Sequence, residues 1–154
     1  MNAKRQQLID TVKAALAGIK GEDEVLGKAV ELISAFSPGF NWTGIYMMKN
    51  GALEVGPYVG PVTEHTRIEL NSGICGAAAT QKRSIIVDDV NADPRFLACS
   101  VNTRSEIVIP LMDGDVCLGE IDIDSDKAGH FTGHDRRMLE EIAKIVVARL
   151  KQVR

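Results

Sequence analysis

The spacing of apolar residues predicts two helices at the start of the chain. Over residues 4–19 they recur three and four positions apart, as on the buried stripe of an amphipathic helix. The same period returns over residues 23–36, with Gly21 between the two stretches and a Ser-Pro-Gly break at 37–39. We therefore expect two consecutive helices.

The period then changes to two, which predicts strands. Asn50-Gly51 and Asp113-Gly114 each lie between alternating runs, and both pairs tolerate the positive φ angles of a tight hairpin turn. The predicted strands are residues 41–49, 52–59, 66–70, 84–87, 105–112 and 115–124; the other elements are an Ala-rich helix at 74–81, a long loop at 90–102 and an amphipathic helix at 132–150.

Hairpin-linked strands with helices gathered at the chain ends predict an α+β domain with an antiparallel sheet, rather than a doubly wound parallel one. The chain has 154 residues, of which 45% are hydrophobic. This length and composition suffice for one hydrophobic core, and two full domains would need a longer chain. We expect a single domain over residues 1–154.

Composition excludes several classes of function. The net charge of -3 and the lack of a basic block argue against nucleic-acid or membrane partners, and no apolar run resembles a targeting segment. Three cysteines are too few for a disulfide framework, which favours a reducing, cytoplasmic location. Without GxGxxG, P-loop, HExxH or CxxC patterns, we expect no bound nucleotide cofactor and no metal.

The cysteines differ in their predicted surroundings. Cys75 lies at the start of helix 74–81, where free backbone N–H groups and the helix dipole favour a thiolate. Cys99 lies in the 90–102 loop, which offers access, whereas Cys117 lies among apolar strand residues. Each is either a small packing residue or a reactive thiol, and packing is favoured for Cys117.

Acids and aromatic residues follow the strand period. Asp122 and Asp124 share one strand face with Glu120, and Glu106 begins the partner strand. These acids either face solvent or meet cations, shared protons or a ligand.

Trp42 and Tyr46 also share a face, as core packing or as the aromatic wall of a pocket. Aromatics, acids and a loop thiol together suit a small ligand with an amine and a polarisable apolar tail.

Several motifs of this sequence resemble those of a known family. NWTGIY, VGPYVG, GICGAAAT, VDDVNADPRFLACS, SEIVIPL, GEIDIDS and FTGHD, over residues 40–150, resemble the GAF domain and, within it, the free methionine-(R)-sulfoxide reductases. The resemblance implies a central antiparallel sheet of about six strands with N- and C-terminal helices packed on it. Residues 1–37 would form a helical segment before the core at 40–150.

The resemblance also implies roles. Cys99 matches the catalytic cysteine, Cys75 a cysteine that forms a disulfide with it, and Glu106 the acid that protonates the sulfoxide oxygen so that it leaves as water. The implied substrate-binding residues are Trp42, Tyr46, Leu97, Ala98, Asp122 and Asp124. The implied enzyme is a homodimer with no bound cofactor, whose disulfide is reset by thioredoxin, thioredoxin reductase and NADPH.

One segment departs from the family. These reductases usually carry a further cysteine about ten residues before the one in GICG, where this chain has Glu64 and His65. Recycling would then use the Cys75 and Cys99 pair alone or an external thiol. The alternative is a stand-alone GAF domain that binds a small molecule as a signalling or redox sensor without turnover.

Overall fold

The computed structural model describes residues 1–96 and 102–154. The helices are α1 (Ala3–Leu16), α2 (Glu22–Ser34), α3 (Gly73–Gln81) and α4 (Gly133–Val153), and a short 3-10 helix covers Val90–Ala92. The strands are β1 (Trp42–Lys49), β2 (Ala52–Val59), β3 (Arg67–Glu69), β4 (Ile85–Val87), β5 (Ser105–Asp113) and β6 (Val116–Ser125).

The strands form one antiparallel sheet in the order β3-β2-β1-β6-β5-β4. This arrangement confirms the predicted α+β class with six strands. The first hairpin turns as its sequence predicts, because Asn50 and Gly51 have φ angles of 52° and 80°. The hairpins are local, whereas the central β1 and β6 contact joins strands that are far apart in the sequence.

The two sheet faces differ in what covers them. Helices α1, α2 and α4 pack over the apolar residues of one face, which include Ile45, Ile107 and Ile121. On the other face α3 covers a second cluster that contains Trp42 and Tyr46. Since strand residues alternate between faces, each central strand supplies both layers.

The helix ends differ slightly from the prediction. Helix α1 ends at Leu16 rather than at 19, because the chain turns there and the Arg149 guanidinium of α4 donates to the Ile19 carbonyl at 2.7 and 2.9 Å. Helix α4 begins with a capping box, in which the Thr132 and Asp135 side chains accept hydrogen bonds from backbone N–H groups of the first turn. In the part of the chain that the structure covers, no helix is both long and apolar enough to cross a membrane.

Candidate active site

A row of buried acids crosses the sheet face beneath α3. Along β6, Ile121 and Ile123 point to the large helical layer, whereas Glu120, Asp122 and Asp124 alternate onto the opposite face. The three acids are only 0%, 0% and 1% exposed. The interpretation of this strand as solvent-facing is therefore wrong, and the acids need another explanation.

Burial changes the protonation of this row. It raises the pKa of Glu120 and of Asp124 well above the ordinary carboxyl range, with the charge of Asp122 adding to both, and it raises the pKa of Asp122 as well. Within residues 1–96 and 102–154, none of their carboxyl oxygens has a hydrogen-bond partner of ordinary geometry. Cys75 and Glu106 lie near enough to oppose part of the rise in pKa. A ligand with an ammonium group would favour the ionised form of these acids and supply hydrogen-bond donors to their oxygens.

Glu106 and Cys75 extend the row on two sides. The register of β5 and β6 pairs Glu106 with Asp124, and Glu106 is 3% exposed. Cys75, in the first turn of α3, donates its thiol to Glu106 Oε2 at an Sγ to O distance of 3.8 Å. The thiol therefore borders the same pocket as the acids.

The expectation that the helix start favours a Cys75 thiolate is wrong. Burial raises the pKa of the Cys75 thiol well above its ordinary value, and the charges of Asp122, Glu120 and Glu106 raise it further. These effects outweigh the partial positive charge at the N-terminus of α3. Cys75 is a protonated thiol until one of the acids takes its proton.

The aromatic residues form the other wall. Trp42 and Tyr46 of β1 lie opposite Asp124 and Glu120 in β6, and their ring centroids are 6.1 Å apart. Tyr58 of β2 stacks on Trp42 at 5.1 Å. Sequence reasoning missed Tyr58, although the hairpin register, which pairs Tyr58 with Gly44, could have indicated it.

The segment before β3 holds these rings in place. Trp42 Nε1 donates to the Pro61 carbonyl and the Tyr46 hydroxyl donates to the His65 carbonyl, each at 3.1 Å. The residues in which this chain departs from the reductases, Glu64 and His65, therefore lie at the rim of the aromatic wall.

At Gly44 the aromatic wall leaves no room for a side chain. A Cβ there would lie 2.5 Å from a Trp42 ring carbon and 2.8 Å from Tyr58 Cβ. We expect Gly44→Ala to lower the free energy of unfolding by roughly 1–3 kcal/mol, because the indole must move. Gly27→Ala in α2 is the matched control: its Cβ meets nothing within 4 Å, and it should stabilise by about 1 kcal/mol. Urea unfolding measures both, and equal effects would contradict this packing.

A small cavity opens beside the acids and the indole. It has a volume of about 210 Å³, below the usual range for drug-sized ligands, and is lined by Asn41, Trp42, Pro61, Asn102, Thr103, Asp124 and Asp126. A larger groove of about 570 Å³ runs elsewhere, along α4, and is lined by exposed charges such as Lys82, Arg137 and Lys144. The small cavity reaches the buried Asp124, whereas the lining of the larger groove includes none of the buried acids.

Three predicted site residues lie outside the described residues: Leu97, Ala98 and Cys99. The chain on either side of them borders the site. Phe96 packs against the cluster that contains Trp42 and Cys75, and Asn102 and Thr103 line the small cavity.

Comparison with known proteins agrees with this geometry. The GAF domain profile matches residues 22–150, and the chain belongs to the GAF domain family. GAF domain-containing protein A of Dictyostelium discoideum is 34% identical over 131 residues, which cover 83% of this chain and 82% of that protein.

Two further relatives are reductases. The free methionine-R-sulfoxide reductase of Saccharomyces cerevisiae is 39% identical over 110 residues, 69% of this chain and 61% of that protein, so the match spans less than two thirds of its length. The free methionine-R-sulfoxide reductase of Neisseria meningitidis, solved in complex with its substrate, has a TM-score of 0.92 at 30% identity over 97% of this chain and 89% of that one. The resemblance deduced from the motifs is confirmed.

Proposed function

We propose that this protein reduces free L-methionine-(R)-sulfoxide to methionine. The observation that carries the proposal is the row of Glu120, Asp122 and Asp124, which is buried beside an aromatic wall and a thiol and has no hydrogen-bond partner of ordinary geometry within residues 1–96 and 102–154. An ammonium group brings three N–H donors and a positive charge, which would satisfy this row. The reductases among the relatives of this chain support the same choice of ligand.

The pocket suggests how the substrate would lie. Its ammonium group would bind Asp122 and Asp124, which ionise once a cation is present. Its methyl group would pack on Trp42 and Tyr46, whose rings are buried on the same face. The sulfoxide oxygen would then point to Glu106, which lies between Asp124 in the sheet and the Cys75 thiol.

Cys99 is the nucleophile in this proposal. It is three residues from Phe96 and from Asn102, so at most about 11 Å of chain separates it from either border of the pocket. Its thiolate attacks the sulfoxide sulfur while Glu106 donates a proton to the oxygen. A second proton lets the oxygen leave as water, and attack of a water molecule on the Cys99 sulfur releases methionine and leaves a sulfenic acid.

Cys75 resolves the sulfenic acid. Glu106, ionised after giving up its proton, is the acceptor that the Cys75 thiol already contacts at 3.8 Å. The Cys75 thiolate then attacks the Cys99 sulfur, a disulfide forms and hydroxide leaves as water. A dithiol of the thioredoxin type, reduced by thioredoxin reductase and NADPH, supplies the two electrons that restore both thiols. The Glu64 and His65 segment provides no third thiol, so this pair acts alone.

A single-turnover experiment tests the proposal. Reduced protein mixed with free methionine-(R)-sulfoxide, without reductant, should release about one methionine per chain and give a Cys75 to Cys99 peptide under non-reducing mapping. Saturable binding without methionine release would contradict the enzyme and support the sensor alternative. Release of methionine without the linked peptide would contradict Cys75 as the resolving thiol.

A further inference from the structure

We propose that Cys75, Glu106 and Asp122 form a binding site for a divalent ion of the Zn²⁺ class. The ion would take Asp122 from the substrate ammonium and Glu106 from the sulfoxide oxygen, and it would hold the Cys75 sulfur, so it would inhibit turnover reversibly. Binding of the ion does not depend on the proposed function; its inhibitory consequence rests on it.

The ligand atoms already lie close together. One atom each from Cys75, Glu106 and Asp122 lies within 4.8 Å of the other two, and all three residues are buried. In tetrahedral zinc sites, bonds of about 2.0–2.3 Å place neighbouring ligand atoms roughly 3.3–3.8 Å apart. The Cys75 Sγ to Glu106 Oε2 distance of 3.8 Å is already at that limit, so only a small contraction toward Asp122 is needed.

Asp122 gives an independent reason to expect a cation. Both of its carboxyl oxygens are buried and have no hydrogen-bond partner of ordinary geometry among the residues that the structure covers. Neighbouring Glu120 is equally buried and, among the described residues, has no hydrogen-bond partner either, so a cation beside it would favour its ionised form. A divalent ion would stabilise the ionised forms of these acids more than one ammonium group can.

The donor set indicates the class of metal. A thiolate with two carboxylates suits Zn²⁺ and Co²⁺, whereas Mg²⁺ and Ca²⁺ prefer oxygen ligands alone. On binding, the Cys75 thiol loses its proton to solvent and forms the metal-sulfur bond. No sequence pattern indicates this site, because its ligands come from a helix and two strands and not from a closely spaced Cys/His pair.

A protein with one thiol tests the site without any enzyme assay. In the Cys99→Ser, Cys117→Ser double variant, Cys75 is the one cysteine that remains in the sequence. Titration with Co²⁺ should give one bound ion per chain and a sulfur-to-cobalt charge-transfer band in the near ultraviolet. Zn²⁺ should abolish the band by displacement, and a similar concentration of Mg²⁺ should leave it unchanged.

Further substitutions in this double variant locate the ligands. Adding Cys75→Ser should remove the band, and adding Asp122→Asn should weaken Co²⁺ binding by about tenfold or more. Asp115→Asn, at an exposed turn, is the matched control and should leave the affinity unchanged. If the Cys75→Ser protein does not keep the native circular dichroism spectrum, Asp122→Asn and Glu106→Gln carry the test.

The site is overturned if the double variant binds no Co²⁺ with a charge-transfer band, or if Asp122→Asn and Glu106→Gln both bind as tightly as their parent. The same measurements on the protein without substitutions distinguish failure of the metal site from failure of the proposed function. Co²⁺ binding without any sulfoxide reduction would refute the reductase and leave the metal site standing. Sulfoxide reduction that Zn²⁺ does not inhibit would refute the inhibitory role.

Discussion

Cys99→Ser should lower the rate of free methionine-(R)-sulfoxide reduction by at least about a thousandfold. A serine hydroxyl is a much weaker nucleophile than a thiolate, and it cannot form the sulfenic acid that remains when methionine is released. Methionine release, followed with dithiothreitol as the reductant, measures the loss.

Cys75→Ser should behave differently, because Cys75 acts only after methionine has left. This variant should release about one methionine per chain with thioredoxin and then stop, with Cys99 trapped as a sulfenic acid that a dimedone probe labels. Cys117→Ser is the matched control: its half-buried thiol contacts the Gly119 carbonyl, and its loss should leave the rate unchanged. Equal loss in the Cys99 and Cys75 variants would contradict the separate roles.

Asp124→Asn should raise the KM for the sulfoxide by roughly tenfold to a hundredfold, the range expected for one hydrogen bond to a charged group. The carboxyl can ionise when the substrate ammonium arrives, whereas the amide cannot supply that charge. Steady-state kinetics measures the change, with Asp115→Asn as the exposed control. An unchanged KM in Asp124→Asn would remove this residue from the ammonium site.

The same variant should unfold no more easily than the natural sequence. Because burial raises the pKa of Asp124 in the folded state, the folded protein binds more protons than the unfolded chain once the pH exceeds about 3.9, the ordinary aspartate value. The carboxyl therefore lowers the free energy of unfolding increasingly as the pH rises toward its raised pKa, and asparagine does not. Urea unfolding at several pH values should show the variant gaining relative stability with rising pH. A constant difference would contradict the raised pKa.

Local patterns in the sequence predicted much of the fold. The two Gly-containing turns predicted both long hairpins, although the second turn is formed by Gly114 and Asp115, because Asp113 ends β5 and pairs with Val116. The period of two placed Glu120, Asp122 and Asp124 on one face. The sequence could not predict that this face is buried, because burial depends on α3 packing over it and on the long-range pairing of β1 with β6.

The chemistry of the site was less predictable for the same reason. The position of Cys75 at a helix start was predicted, but its raised pKa comes from acids on two strands distant in the sequence. Tyr58 was missed because its role depends on stacking against Trp42 across the hairpin. The role of Cys99 came from family resemblance, since a loop position alone does not distinguish a nucleophile from a surface thiol.

The most direct test of the proposed function is turnover of racemic free methionine sulfoxide with thioredoxin, thioredoxin reductase and NADPH. The R epimer should disappear completely while the S epimer stays, so NADPH oxidation should stop when half of the racemate is consumed. No methionine formation under these conditions, with dithiothreitol also failing to support it, would contradict the reductase.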